Sequence, residues 1–200
     1  MVDARVFQML GFFVECEFLT RADCERLREE MRRSAAEAAG VVHEGENVLD
    51  AGYRSTKRVW VSDGTYSLIE ERLAALRSRL EQHFHVGLRG MQPPQFLRYG
   101  VGDFFRCHAD TSDKAGAPDF LTQRKVSAVI FLGHPADDPP AAGRGGDLVF
   151  HGLIDDQRMQ DRGFAFPSDE GTCLAFPSTT LHEVTAITAG QRYSVVTWFY

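Results

Sequence analysis

The spacing of apolar residues divides the chain in two. Up to about residue 94 they recur at helical intervals among charged positions; from Gln95 onward they gather into short runs separated by Gly, Pro and Asp. An apolar, strand-like run at residues 11–18 comes first. Thr20 then reads as a helix N-cap with Asp23 at the capping-box position, Leu27 and Met31 share one face, and Gly40 follows as a terminator after Ala39. That pattern predicts a helix over residues 21–39. Residues 41–62 are mixed and predict one strand, at 58–62. A second helix follows over residues 64–84, capped by Asp63, with Leu68, Leu73, Leu76 and Leu80 as its buried stripe.

Eight short runs fill the rest: FLRY, DFFRCHAD, KVSAVIFL, GDLVFH, GFAF, TCLAFP, HEVTAI and RYSVVTWFY. Eight strands with turn residues between them predict a barrel or sandwich of the jelly-roll kind. The expected class is α+β, mainly β: one domain over residues 1–200. Within it, 1–94 would form a helical and mixed support and 95–200 the jelly-roll core. Two long loops interrupt the runs, at residues 111–123 and 133–145. The first follows directly on Asp110; its central Gly116 and its apolar Phe120 and Leu121 suit a lid as well as a plain connector. Gly143, Gly145 and Gly146 sit in the second. No Lys-Ser/Thr follows them and the next run is a strand, so a phosphate-binding loop is not expected.

Composition narrows the function classes. A net charge of −6 without a compensating basic run argues against nucleic acid as a partner. No apolar run is long enough to span a bilayer, and the N-terminus lacks the features of a secretory signal, so a cytoplasmic protein without a membrane partner is expected. Cys16, Cys24, Cys107 and Cys173 show no paired spacing and read as reduced core thiols.

Candidate chemistry begins with His108 and Asp110. If the run containing them is a strand to its end, both project from one face and could grip one metal ion. Far downstream, His182 offers a third donor. Two histidines and a carboxylate with open positions are the facial triad of non-haem Fe(II) sites. Each residue alone has an ordinary explanation: a surface pair, a satisfied core histidine. Arg192 lies ten residues beyond His182. With a turn at Thr188-Ala189-Gly190, the strands carrying His182 and Arg192 are expected to fold back on each other. An odd number of loop residues, or a bulge, would then turn both side chains inward. Arg192 would stand about four to six residues along the ladder from His182, on the order of 13–20 Å, leaving space for a small dicarboxylate. His83 and His85 fall at a helix end, His43 and His134 in loops, and His151 at a strand end as a weak outsider. Arg54, Lys57 and Arg58 form a basic cluster, expected as a solvated loop, with a substrate-carboxylate contact as its second reading.

These residues fall into a known pattern. Tyr99, Gly102, His108 and Asp110, then Gly145-Gly146-Asp147-Leu148, then Phe176, Leu181-His182, Gly190, Arg192 and Trp198 stand in the spacings of the prolyl 4-hydroxylase-like branch of the Fe(II)/2-oxoglutarate dioxygenases. The chain resembles that branch over roughly residues 95–200. The resemblance implies a double-stranded β-helix with helices packed against it. It implies that Fe(II) is bound by His108, Asp110 and His182, that the distal carboxylate of 2-oxoglutarate pairs with Arg192, and that Tyr99 and Ser194 belong to the cosubstrate pocket. It also implies O2 as oxidant, with ascorbate as an accessory reductant. The activity implied is hydroxylation of an aliphatic C–H in a protein side chain or a small metabolite, with release of succinate and CO2. Collagen-type relatives carry Lys where Arg192 stands, and Phe131 occupies a position where relatives often have Tyr. Asp110 argues against a halogenase of this fold. A metal-dependent sensor that keeps the site without turnover is the alternative. A cupin-like protein without 2-oxoglutarate is a third, against which Arg192 speaks.

Overall fold

The structure is a computed structural model and describes residues 3–43, 46–133, 145–156 and 162–200. In chain order the elements are α1 (Ala4–Met9), β1 (Phe13–Glu15), α2 (Arg21–Arg33), β2 (Ala36–Ala38), β3 (Val41–His43), β4 (Glu46–Val48), β5 (Arg54–Ser55) and β6 (Lys57–Val59). Then come α3 (Asp63–Ala75), α4 (Arg77–Phe84), β7 (Gln95–Tyr99), β8 (Phe104–His108), α5 (Asp119–Thr122) and β9 (Val126–Phe131). The chain closes with β10 (Leu148–Phe150), β11 (Phe164–Ala165), β12 (Cys173–Pro177), β13 (His182–Val184) and β14 (Arg192–Phe199). Each of the eight runs from Gln95 onward forms a strand.

The strands make a seven-stranded sheet in the order β1-β12-β9-β14-β7-β6-β2, a five-stranded sheet in the order β11-β10-β13-β8-β5, and a separate β3-β4 pair. All described pairings are antiparallel, and from β7 to β14 the chain passes from one large sheet to the other at every step except the β10-β11 hairpin, as in a jelly roll. Side-chain alternation sorts the core into two layers. Phe96, Ala128, Ile130, Tyr193 and Val195 pack with Leu27, Met31, Ile69, Leu73 and Leu80 of the helices. Their sequence neighbours Leu97, Tyr99, Val129 and Phe131 join Leu148, Phe150 and Phe176 in the layer between the sheets. β9 therefore has both faces covered, and its six residues are all buried.

Several boundaries differ from those the sequence predicts. The Thr20 cap is as expected: its hydroxyl accepts from the Asp23 N–H at 3.1 Å and donates to the Asp23 carboxylate at 2.9 Å. Helix α2, however, ends at Arg33. Ser34 turns extended and its hydroxyl donates to the Glu30 carbonyl, so that Ala36–Ala38 becomes an edge strand on β6. Alanines with high helix propensity are here drawn into sheet pairing. The second predicted helix is two, broken at Leu76, and its cap is Ser62 rather than Asp63. Ile69, not Leu68, sits on the buried stripe. The mixed stretch holds four short strands instead of one, and the strand-like run at 11–18 pairs only at Phe13–Glu15. The support half thus contributes β1, β2, β5 and β6 to the two large sheets. Cys24 and Cys173 are buried, but Cys16 and Cys107 are exposed.

One topological expectation fails outright. β13 and β14 do not fold back on each other: β13 pairs with β8 and β10, and β14 with β7 and β9. The segment between them crosses from sheet to sheet, so hairpin parity does not govern where Arg192 points. The loop at 133–145, with His134 and Gly143, lies outside the described residues except at its ends. Gly145 and Gly146 have positive φ, and a Cβ at Gly145 would stand 1.9 Å from the Ala186 carbonyl oxygen. Their role is close approach to the crossing segment. Among the described residues no helix is long and apolar enough to cross a membrane.

Gly145→Ala is expected to destabilise the fold by about 1–3 kcal/mol, from a disfavoured backbone conformation and a displaced Ala186 carbonyl. A thermal midpoint equal to that of the parent chain would contradict this account.

Candidate metal and cosubstrate site

β8 and β13 place the first two donors. His108 and His182 are direct cross-strand partners, with ring centroids 4.3 Å apart. A register shift between His182 and Val184 marks a bulge beside them, a common way to re-aim a side chain. Each ring is oriented by its own strand. Nδ1 of His108 lies 2.7 Å from the Arg106 carbonyl, and Nδ1 of His182 lies 2.9 Å from the Thr180 carbonyl. A carbonyl can only accept, so both Nδ1 atoms carry the proton and both Nε2 lone pairs are free to bind a metal. Phe105 stacks on His108 at 3.6 Å, and Phe176 meets the edge of His182 at 4.9 Å.

Asp110 arrives by a route that strand alternation did not anticipate. β8 ends at His108, and the Asp110 N–H donates to the Ser178 carbonyl at 2.9 Å. The chain has already left the ladder. Its carboxylate nevertheless stands 3.6 Å from His108 Nε2 and 3.5 Å from His182 Nε2. These gaps are too long for hydrogen bonds and close to the roughly 3 Å between neighbouring donors on one ion at about 2.1 Å. One ligand atom from each of the three residues lies within 4.8 Å of the others. Burial would raise the Asp110 carboxyl, but the imidazoles of His182 and His108 outweigh it and hold the group well below the usual carboxylate range. The donor set, two imidazoles and an ionised carboxylate, fits Fe(II).

Arg192 opens β14 opposite Tyr99 of β7. Its guanidinium carbon lies 5.1 Å from the Tyr99 ring centroid and 5.7 Å from that of Phe131, and its Nη1 donates to the Ser194 hydroxyl at 2.9 Å. Burial lowers its pKa, opposed by Tyr99 and Asp147, yet a guanidinium stays charged. No carboxylate among the described residues forms an ion pair with it. A cavity of about 50 Å³ links Tyr99, His108, Asp110, His182, Arg192 and Ser194. A cation with no ion-pair partner among the described residues, in one cavity with three convergent donors, fits an anionic cosubstrate.

A larger cleft of about 380 Å³ opens outside His108 and Asp110, walled by Tyr53, Arg54, Arg124 and Trp198. The sequence singled out one of these arginines, Arg54, and not the other. Arg124 precedes β9 with no motif around it; burial pushes its pKa down to about 10, and its plane lies 3.6 Å over the Trp198 ring. Arg54 belongs to the basic cluster expected to be a solvated loop, but it is largely buried beside the site. Of the other histidines, His151 pairs with Glu183 at 3.1 Å, apart from the metal group, and His83 and His85 lie at the end of α4.

With the geometry in place, comparison with known proteins decides the family. The profile of the 2OG-Fe(II) oxygenase superfamily matches residues 94–200. The chain belongs to that superfamily. A PKHD-type hydroxylase of Shewanella baltica is 29% identical over 106 residues, 53% of this chain and 42% of the relative. The chain thus spans about four tenths of the length of the first curated relatives it matches. A prolyl-4-hydroxylase of Pseudomonas putida has the same fold at a TM-score of 0.73 and 22% identity, over 98% of this chain and 96% of that one. A Trichoplax adhaerens prolyl hydroxylase, solved with a hypoxia inducible factor peptide, superposes at 0.72 and 16% identity, over 98% and 86%.

In this chain burial pushes the His182 imidazole below its ordinary value of 6.5, against the pull of Asp110. Below about pH 6.5 the unfolded chain takes up a proton at this residue that the folded chain resists, so stability falls as the pH falls. Asp110 stays ionised through that window. The metal-free protein should therefore lose thermal stability between pH 7 and pH 5, and His182→Gln should flatten that slope. An unchanged slope in the variant would assign the loss elsewhere.

Proposed function

We propose that this oxygenase hydroxylates an aliphatic C–H of a protein side chain, of the prolyl type, or of a small metabolite, in a reaction dependent on Fe(II) and 2-oxoglutarate. His108, Asp110 and His182 would hold the metal, and Arg192 the distal carboxylate of the cosubstrate. The observation that carries this reading is Arg192, with no ion-pair partner among the described residues, sharing one cavity with the three donors. The peptide bound by the Trichoplax neighbour favours a peptide substrate over a metabolite.

Bound Fe(II) with 2-oxoglutarate and O2 supplies oxidative decarboxylation to succinate and CO2, coupled to insertion of oxygen into a C–H bond. The chain's own residues orient and exclude. Arg106 and Thr180 carbonyls hold each histidine in the tautomer that presents Nε2. Arg192 offers a charged fork whose position is set by the Ser194 hydroxyl and the Tyr99 ring. Phe131 presents an apolar face where a tyrosine would offer a hydroxyl, so the cosubstrate depends more heavily on Arg192. Phe105, Phe150 and Phe176 line the histidines and keep water from the donor atoms.

Anaerobic titration tests the assignment, because the Fe(II)–2-oxoglutarate complex has its own charge-transfer absorption. His182→Ala should lose Fe(II) binding. Arg192→Ala should keep iron but weaken 2-oxoglutarate by at least about 30-fold, the usual cost of removing one partner of a buried charge pair. Arg192→Lys should fall between, since an ammonium does not copy the fork. Equal midpoints for Arg192→Ala and the parent chain would sink the proposal. Intact binding without any 2-oxoglutarate turnover would point to the sensor alternative.

The loop at 111–123 carries a separate expectation. Phe120 and Leu121 border the outer cleft from α5, and the Thr111 hydroxyl donates to the Leu121 carbonyl at 3.0 Å. Replacing residues 113–121 with a short Gly-Ser linker should leave 2-oxoglutarate consumption in place while product formation falls. If both fall together, or neither changes, the loop is no lid.

A further inference from the structure

Three guanidinium groups reach the outer cleft, from Arg54, Arg58 and Arg124, against a single carboxylate, Glu37, apart from Asp110. This excess of positive charge sits on a chain with a net charge of −6, so it is local. The three are not equivalent. Arg124 is engaged: Nε and Nη2 donate to Gln92 Oε1 at 3.0 and 2.8 Å, and Nη1 donates to the Asp110 carbonyl at 3.1 Å. Arg58 rests 4.5 Å over the Trp60 ring, and no described carboxylate forms an ion pair with it. Arg54 is the unusual one. Its Nη1 donates to the Gly40 carbonyl at 3.0 Å, its guanidinium carbon lies 4.6 Å from the Phe105 ring centroid, and Tyr99 and Asp110 are its electrostatic neighbours, but its Nε–H is buried without an acceptor among the described residues.

Arg54 also stands where two spaces meet. It borders the interior cavity with the three metal donors and, on its other side, the outer cleft that Arg58 lines. Buried polar groups are normally satisfied, and an orphaned charged donor on a residue that lines a cleft points to a missing acceptor. A single Nε–H is one arm of the side-on fork with which guanidinium grips a carboxylate. Arg192 already meets the need for the cosubstrate's distal carboxylate. We propose that the outer cleft recognises a carboxylate of the substrate itself, held by Arg54 with Arg58, next to the carbon that is hydroxylated. This rests on the hydroxylase reading above and adds to it a substrate class. The carboxylate can come from an acidic side chain flanking the target in a peptide or from the free acid of a small molecule, since both present the same group.

The full chain loaded with Mn(II) and 2-oxoglutarate reads binding without turnover. The peptide probes are two pools of acetylated, amidated heptapeptides, randomised at the centre and carrying either Glu or Gln around it. The small-molecule pair is L-proline and L-prolinamide. Bound fractions are compared by mass spectrometry. The acidic member of one pair should be retained about tenfold or more over its amide, the scale of one charge-assisted contact. Preference in the peptide pools places the carboxylate on a peptide, and preference for L-proline places it on a free acid. Arg54→Gln and Arg58→Gln should each erase the selectivity without moving the 2-oxoglutarate midpoint, and Arg58→Glu should turn the preference toward a Lys pool. Equal retention in both pairs overturns the proposal, as does selectivity that survives both substitutions. A shifted 2-oxoglutarate midpoint in Arg54→Gln also overturns it, because Arg54 would then serve the cosubstrate. If Fe(II) and 2-oxoglutarate fail to bind while the acidic probe is still selected, the hydroxylase reading falls and the carboxylate site stands.

Discussion

The pairing of β8 with β13 is the constraint on which the site depends. It sets His108 and His182 directly opposite each other, and short bonds from each Nδ1 to its own strand's backbone turn both Nε2 atoms the same way. Two donors are therefore positioned by main-chain geometry rather than by flexible side chains. Asp110 is then brought in by a backbone contact to Ser178, at the end of a strand in the other sheet. The triad is thus a joint between the two sheets, and a disturbance to either sheet reaches it.

The layered core serves the same end. Alternation along β7, β9 and β14 sends Phe96, Ile130 and Val195 toward the helices and Leu97, Val129 and Phe131 toward the facing sheet. On β14 the helix-facing Tyr193 lies between Arg192 and Ser194, which therefore share the opposite face. Burying a guanidinium that no described carboxylate pairs with costs stability. Cation–π contacts with Tyr99 and Phe131 and a single hydroxyl compensate only in part. The proposed cosubstrate would satisfy the rest. The same reasoning, on a smaller scale, applies to the unpaired Nε of Arg54.

Much of this was legible in the residues. The eight runs from Gln95 became eight strands, the Thr20 cap formed, and His108, Asp110 and His182 came together. The strands and the cap follow from alternation and capping, which are local properties of the chain, whereas the triad was legible only through the spacing of its motif. The failures share the opposite character. Ala36–Ala38 has helix propensity but pairs with β6, and Leu76 breaks a helix whose stripe runs on through it. Arg54 looked like part of a solvated cluster because nothing local says which of three basic residues will be covered.

The sequence by itself determined the donor types, their order, and the alternation that puts Tyr99, Arg192 and Ser194 on inward positions. Tertiary structure alone decided that His182 faces His108, that β13 and β14 lie in different sheets, and that Asp110 leaves its strand before presenting its carboxylate. It also decided that Arg54, rather than Lys57, is buried at the boundary of the two cavities. The physical reason is that a side chain's direction follows from its own backbone, whereas its neighbours follow from which strands pair. Pairing across 70 or more residues, as between β8 and β13, is settled by the packing of the whole core.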